Sequence, residues 1–95
     1  MKRQEMLLSI LGEEGCEVSQ QTSKAHRFGL YNIRNGSTNA EKLQVEFNDL
    51  LAVAEMLNEE DNEINLYPRR DLIEAKRNKV EKYLIVSKEL GTLTE

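Results

Sequence analysis

From Leu7 onward the chain places one residue every four or three positions on a common face: Leu7, Leu11, Glu14, Val18, Gln21, Ala25 and Phe28. That spacing predicts an amphipathic helix from about Gln4 to Phe28. Two of its seven seam positions are polar, and a sequence usually breaks its own pattern where function intrudes. Gly12 and Gly15 each weaken a helix by roughly 1 kcal/mol relative to Ala, and the expectation is that they admit a second backbone or a ligand. Gly29 is the predicted stop, preceded by Lys24, His26 and Arg27, cations that suit the negative end of a helix dipole.

Leu30 to Asn39, LYNIRNGSTN, reads as turn chemistry. Thr38 with Glu41 three residues later matches a capping box and predicts the start of a second helix. Its apolar seam is Leu43, Phe47, Leu50, Ala54 and Leu57, widened by Leu51, Val53 and Met56, so burial on more than one side is expected. The acids between Asn58 and Glu63, Asp61 among them, are disfavoured at a helix C-terminus and predict its end. Pro68 then biases Tyr67 away from helix. A third helix is expected to start near Arg69 to Asp71, with Asp71 and Glu74 as a possible cap. Ile73, Val80, Tyr83, Leu84 and Leu90 give it an apolar face, and Lys76, Lys79 and Lys82 lie on its other sides. Gly91 is its predicted end and residues 92–95 a frayed tail.

The expected fold class is therefore all-α, three main helices in one domain over residues 1–95, with no internal repeat. Three such helices carry more apolar surface than they can cover alone. Homo-oligomerisation through the second helix is the expected remedy, with a symmetric dimer as the first guess.

Composition sharpens this picture. The chain is 39% hydrophobic and 32% charged with no Trp and one Pro, which suits a soluble helical protein. Seventeen acids against thirteen bases give a net charge of -4, which argues against a protein built to wrap nucleic acid. The apolar run in MKRQEMLLSILGEEG is short and broken by Gly12 and the acids after it, so neither a signal peptide nor a membrane span is expected. A single Cys16 cannot form an internal disulfide, and a cytoplasmic location follows as the default. Cys16 itself is expected to be a small buried hydrophobe. His26 is read as a surface residue at a helix end, and its solitude argues against a di-iron carboxylate bundle.

The candidate chemistry lies in two acid pairs, Glu14 with Glu17 and Glu46 with Asp49, each one helical turn apart beside an apolar face. The bland alternative is a solvated charged face. If the two helices meet, four carboxylates converge, and desolvation and mutual repulsion both oppose their ionisation. A divalent cation would offset that cost, and oxygen ligands suit magnesium, which completes its shell with water and substrate phosphates. From the residues alone the expectation is a helical, magnesium-dependent phosphate enzyme.

The sequence E-E-G-C-E followed by E-F-N-D resembles the MazG-like nucleoside triphosphate pyrophosphohydrolases of the all-α NTP pyrophosphatase superfamily. Their pattern, E-x-x-E then E-x-x-D, corresponds to Glu14-x-x-Glu17 and Glu46-x-x-Asp49. The likeness spans about Leu7 to Tyr83. It implies a MazG-like helical bundle, a homodimer or homotetramer, that binds Mg2+ (or Mn2+) through those four carboxylates and cleaves an NTP or dNTP to the monophosphate and pyrophosphate. It implies that Glu13 is either a further metal ligand or the group that orients the attacking water. It implies also that basic residues of the loop and third helix hold phosphates, a role that Lys76 and Lys79 fit by position and Arg27, Arg34 and Asn35 by lying in or beside the loop. Short stand-alone versions of such a domain are carried by phages as well as bacteria. The alternative function is a non-catalytic nucleotide-sensing or protein-binding module of the same fold.

Overall fold

A computed structural model describes residues 1–60 and 62–95. Three helices carry the chain: α1 (Arg3–Phe28), α2 (Asn39–Glu60) and α3 (Arg70–Glu89), of 26, 22 and 20 residues. The only strands among the described residues are β1 (Ile33–Arg34) and β2 (Ser37–Thr38), which pair antiparallel between α1 and α2. No helix there is long and apolar enough to cross a membrane.

α1 and α2 form an antiparallel hairpin whose register can be followed from end to end. Arg3 Nε lies 3.0 Å from Glu60 Oε2 at one end. Leu7 then packs with Val53 and Leu57 in the small core, flanked by Ile10, Leu11 and Ile64. At the other end Gln21 Nε2 donates to Asn39 Oδ1 at 3.1 Å. The seam predicted for α1 faces this partner: Leu7, Gln21 and Ala25 are buried and Leu11, Glu14 and Val18 half-buried, while Phe28 is exposed beyond the packed length. Gly12 and Gly15 lie on the outer side, with nothing within 4 Å of where a Cβ would sit, so within one chain they admit no close neighbour. Cys16 is exposed rather than buried, because it falls outside the stripe that turns inward.

The helix ends follow local rules. Gly29 stops α1 at φ 93°, its N–H donating to Ala25 at 2.9 Å. Thr38 and Glu41 form the predicted capping box: Glu41 N–H donates to Thr38 Oγ1 at 3.1 Å, and Glu41 Oε1 accepts from Thr38 N–H at 3.2 Å. The segment before it is more ordered than turn chemistry alone implies. Asn35 and Gly36, at φ 53° and 84°, form the two-residue turn with positive φ at both positions that suits a tight β-hairpin. α2 runs to Glu60, and Asp61, within its predicted stop, lies outside the described residues.

α3 begins near its predicted start, but Asp71 and Glu74 do not cap it. Each is taken by an arginine instead: Asp71 Oδ2 by Arg69 at 2.6 Å, and Glu74 by Arg70 one turn earlier. Its C-terminus is closed rather than frayed, with Gly91 at φ 82° and the N–H groups of Thr92 and Leu93 donating to Ser87 O at 3.0 and 3.1 Å. No residue of α3 is buried, and it forms no packed interface with α1 or α2. Much of the broad apolar face of α2 is also bare within one chain, with Val45, Phe47, Leu51 and Met56 exposed. The radius of gyration is 16.8 Å, where a compact chain of this length has about 12 Å.

Candidate metal centre

The middle of the α1–α2 groove is where the acids meet. Glu14 projects from α1 at a seam position, and Glu46 and Asp49 come from consecutive turns of α2; one carboxylate oxygen of each lies within 4.8 Å of the others. Antiparallel pairing brings them together, since Glu14 sits two turns after Leu7 and Glu46 two turns before Val53. Glu14 and Glu46 are half-buried and Asp49 is exposed.

The electrostatics record the crowding. Burial first, then the charges of Asp49, Glu46, Glu17 and Glu13, raise the Glu14 carboxyl above its ordinary value of 4.5. All these influences disfavour the anion, and no cation is among them. Three hard oxygen donors, one of them reluctant to ionise unaided, fit a divalent cation of the magnesium class. Bonds of about 2.0–2.1 Å place ligands on opposite sides of magnesium about 4.2 Å apart, so three oxygens already within 4.8 Å need at most a small closing movement.

Glu17, the fourth acid of the sequence pattern, stands outside this cluster and is exposed. Three residues advance a helix by 300°, so with Glu14 aimed into the groove Glu17 is turned about 60° to its side. Glu13 is exposed beside the cluster.

The basic residues divide into two groups. Arg27 and Arg34 both lie over the Phe28 ring, each guanidinium carbon 5.1 Å from its centroid, and Asn35 is the first residue of the hairpin turn. These gather at the end of the groove beyond Gln21. Lys76 and Lys79 are exposed on α3, which one chain does not bring against the acids. His26 is exposed at the end of α1, as its position suggested. Lys24, which the sequence marks only as a helix-end cation, and Lys42, which sequence reasoning passed over, line a pocket with Gln21, Phe28, Arg34, Asn35 and Asn39. The signal available for Lys42 was its placement one turn before Glu46 on the same side of α2, whereas Lys24, ten residues after Glu14, is turned about 80° from it and carried no such signal.

Compared with known proteins, this chain matches no family model, no curated protein and no solved structure, so the case for a function rests on these residues.

Proposed function

We propose that this chain is a MazG-like, magnesium-dependent nucleoside triphosphate pyrophosphohydrolase that converts an NTP or dNTP to the monophosphate and pyrophosphate. The observation that carries the reading is the meeting of Glu14, Glu46 and Asp49 across the groove at positions where a core would otherwise continue. In this reading those three carboxylates hold Mg2+ or Mn2+, and Glu17 joins them by a side-chain movement. The ion supplies charge neutralisation on the phosphate oxygens and a lowered pKa for a water. Glu13, exposed beside the cluster, orients the water that attacks the α-phosphorus. The new bond is from the water oxygen to phosphorus, the bond broken is that to the bridging oxygen of the β-phosphate, pyrophosphate leaves with the electron pair, and the proton lost by the water passes to solvent. Such chemistry needs positioning and electrostatics more than a covalent nucleophile, and the exposed Cys16 has no part in it.

The working form in this reading is a homo-oligomer, a dimer or tetramer, in the cytoplasm. The chain exposes 7823 Å² where a folded monomer of 11.0 kDa exposes about 5,600 Å². The excess, roughly 2,200 Å², matches the 1,000–2,500 Å² or so that each chain contributes to an obligate homodimer. Charge favours the same pairing. α2 carries six acids and one base, whereas α3 carries six bases and four acids. A partner's α3 laid along the hairpin covers bare apolar surface and brings Lys76 and Lys79 toward the phosphates, where Arg27, Arg34 and Asn35 also act.

The test is pyrophosphate release from a panel of canonical and modified nucleoside triphosphates, with magnesium and with a chelator. Magnesium-dependent release from one or a few members is expected. Silence across the panel from folded protein would overturn the enzyme in favour of a nucleotide-sensing or protein-binding module.

A further inference from the structure

The corner where α1, the β-hairpin and α2 meet encloses a pocket of about 220 Å³. Lys24, Arg34 and Lys42 line it together with the amides of Gln21, Asn35 and Asn39 and the ring of Phe28, and no carboxylate does. In a chain with four more acids than bases, three cations converging without an acid is a local inversion of sign. None of the three forms an ion pair among the described residues, so the protein leaves these cations without a neutralising carboxylate. Their mutual repulsion falls when an anion enters.

The pocket is held in shape without that anion. Gln21 and Asn39 are 6% and 4% exposed. Gln21 Nε2 donates to Asn39 Oδ1 at 3.1 Å, and Asn39 Nδ2 donates to the Gly29 carbonyl at 2.8 Å, so the floor is a closed relay between the two helices and the loop. Lys42 Nζ donates to the Arg34 carbonyl at 3.2 Å and ties the hairpin to α2. The Arg34 guanidinium rests on Phe28. The pocket also adjoins the N-terminus of α2. The Ala40 and Glu41 amides there are taken by Leu30 O and Thr38 Oγ1, leaving chiefly the helix dipole to favour an anion. Its volume is about seven times the ~30 Å³ share of one water, room for a phosphoryl group or a pyrophosphate.

We infer that this pocket is a metal-independent phosphoryl site, with Lys24, Arg34 and Lys42 as its charges and the Gln21–Asn39 relay as its floor. Gln21 lies seven residues beyond Glu14 and Asn39 seven before Glu46, which puts the pocket about 10 Å along the groove from the acids. Resting on the hydrolase reading, the inference extends it: the substrate is gripped at two places, and the phosphoryl end held here is one that the acid cluster does not hold. Lys24 and Lys42 thereby join Arg34 as substrate-binding residues.

The experiment is a calorimetric titration of the full chain with inorganic pyrophosphate in the presence of a chelator, at low and at physiological salt. Wild type is expected to bind, more weakly as salt rises. Lys24→Glu is the cleanest variant, because Lys24 is exposed on a helix and makes no hydrogen bond or ion pair among the described residues. It is expected to weaken binding at least about tenfold, as losing a charge-assisted contact does. Arg34→Gln is expected to weaken it similarly. Absence of pyrophosphate binding by wild type, or equal affinity in Lys24→Glu, would overturn the phosphoryl site. Failure of the hydrolase reading shows up separately, as absent magnesium-dependent turnover with this metal-free binding intact.

Discussion

Gln21 and Asn39 close the loop end of the helical hairpin, two buried amides joined by a 3.1 Å hydrogen bond at positions that apolar residues would otherwise fill. Gln21 breaks the seam of α1 just as Glu14 does, but with the opposite consequence. Glu14 meets two more acids, whereas Gln21 meets a partner that satisfies it.

Replacing either amide therefore costs more than a surface change. Gln21→Ala leaves Asn39 Oδ1 without its donor and is expected to destabilise by about 1–3 kcal/mol. Asn39→Ala also frees the Gly29 carbonyl and is expected to cost at least as much. For a domain of this size 1 kcal/mol corresponds to roughly 4–8 °C in Tm. Thermal melts at fixed protein concentration check both, and a double variant that loses no more than the worse single would show that the two act as one unit.

The capping box at the start of α2 gives a smaller, local prediction. Thr38→Ala removes both the hydroxyl that accepts from the Glu41 amide and its contact with the Glu41 carboxylate, for an expected loss of about 1 kcal/mol. Thr38→Ser keeps the hydroxyl and is expected to restore most of it. Equal melts for Thr38→Ala and wild type would mean that tertiary contacts, not the cap, fix this helix end.

These two sites also show what the sequence made legible. Repeated four-and-three spacing identified the inward face of α1 down to Glu14 and Gln21, because helical geometry alone decides which residues share a face. The capping box was readable for the same reason, being wholly local. The β-hairpin was not anticipated although Asn35-Gly36 is a strong hairpin signal, since the flanking Ile33-Arg34 and Ser37-Thr38 are too short to show an alternating pattern. Spacing pairs Glu17 with Glu14, but three residues leave a 60° offset that only the partner helix resolves. The bare state of α3 was hidden for a deeper reason. An apolar helix face looks alike in sequence whether its partner belongs to the same chain or to another.

That last point gives a prediction on assembly. Ile73, Val80 and Leu84 share one side of α3, and all are exposed. Sedimentation is expected to give a multiple of 11.0 kDa for wild type, and Val80→Asp with Leu84→Asp is expected to bring it to the single-chain mass with a lowered Tm. A wild type that sediments as one chain at high concentration would remove the oligomer from the proposed function.

The acid cluster yields a prediction whose sign follows from linkage. The Glu14 carboxyl is raised above its ordinary 4.5, by burial first and then by Asp49, Glu46, Glu17 and Glu13. Between 4.5 and its folded-state value, the native protein therefore retains a proton that the unfolded chain has lost. Stability then falls as pH rises through that window, because the native state binds more protons than the unfolded state. In chelator, the Tm of wild type relative to Glu14→Gln is expected to be highest below the window and to decline across it, since the glutamine carries no titration. Magnesium reverses the ordering above the window by favouring the ionised form, and its affinity is expected to weaken on acidification as cation and proton compete. A wild-type-minus-variant difference that stays level with pH, with and without the ion, would show that Glu14 is an ordinary solvated acid and would take the metal centre with it.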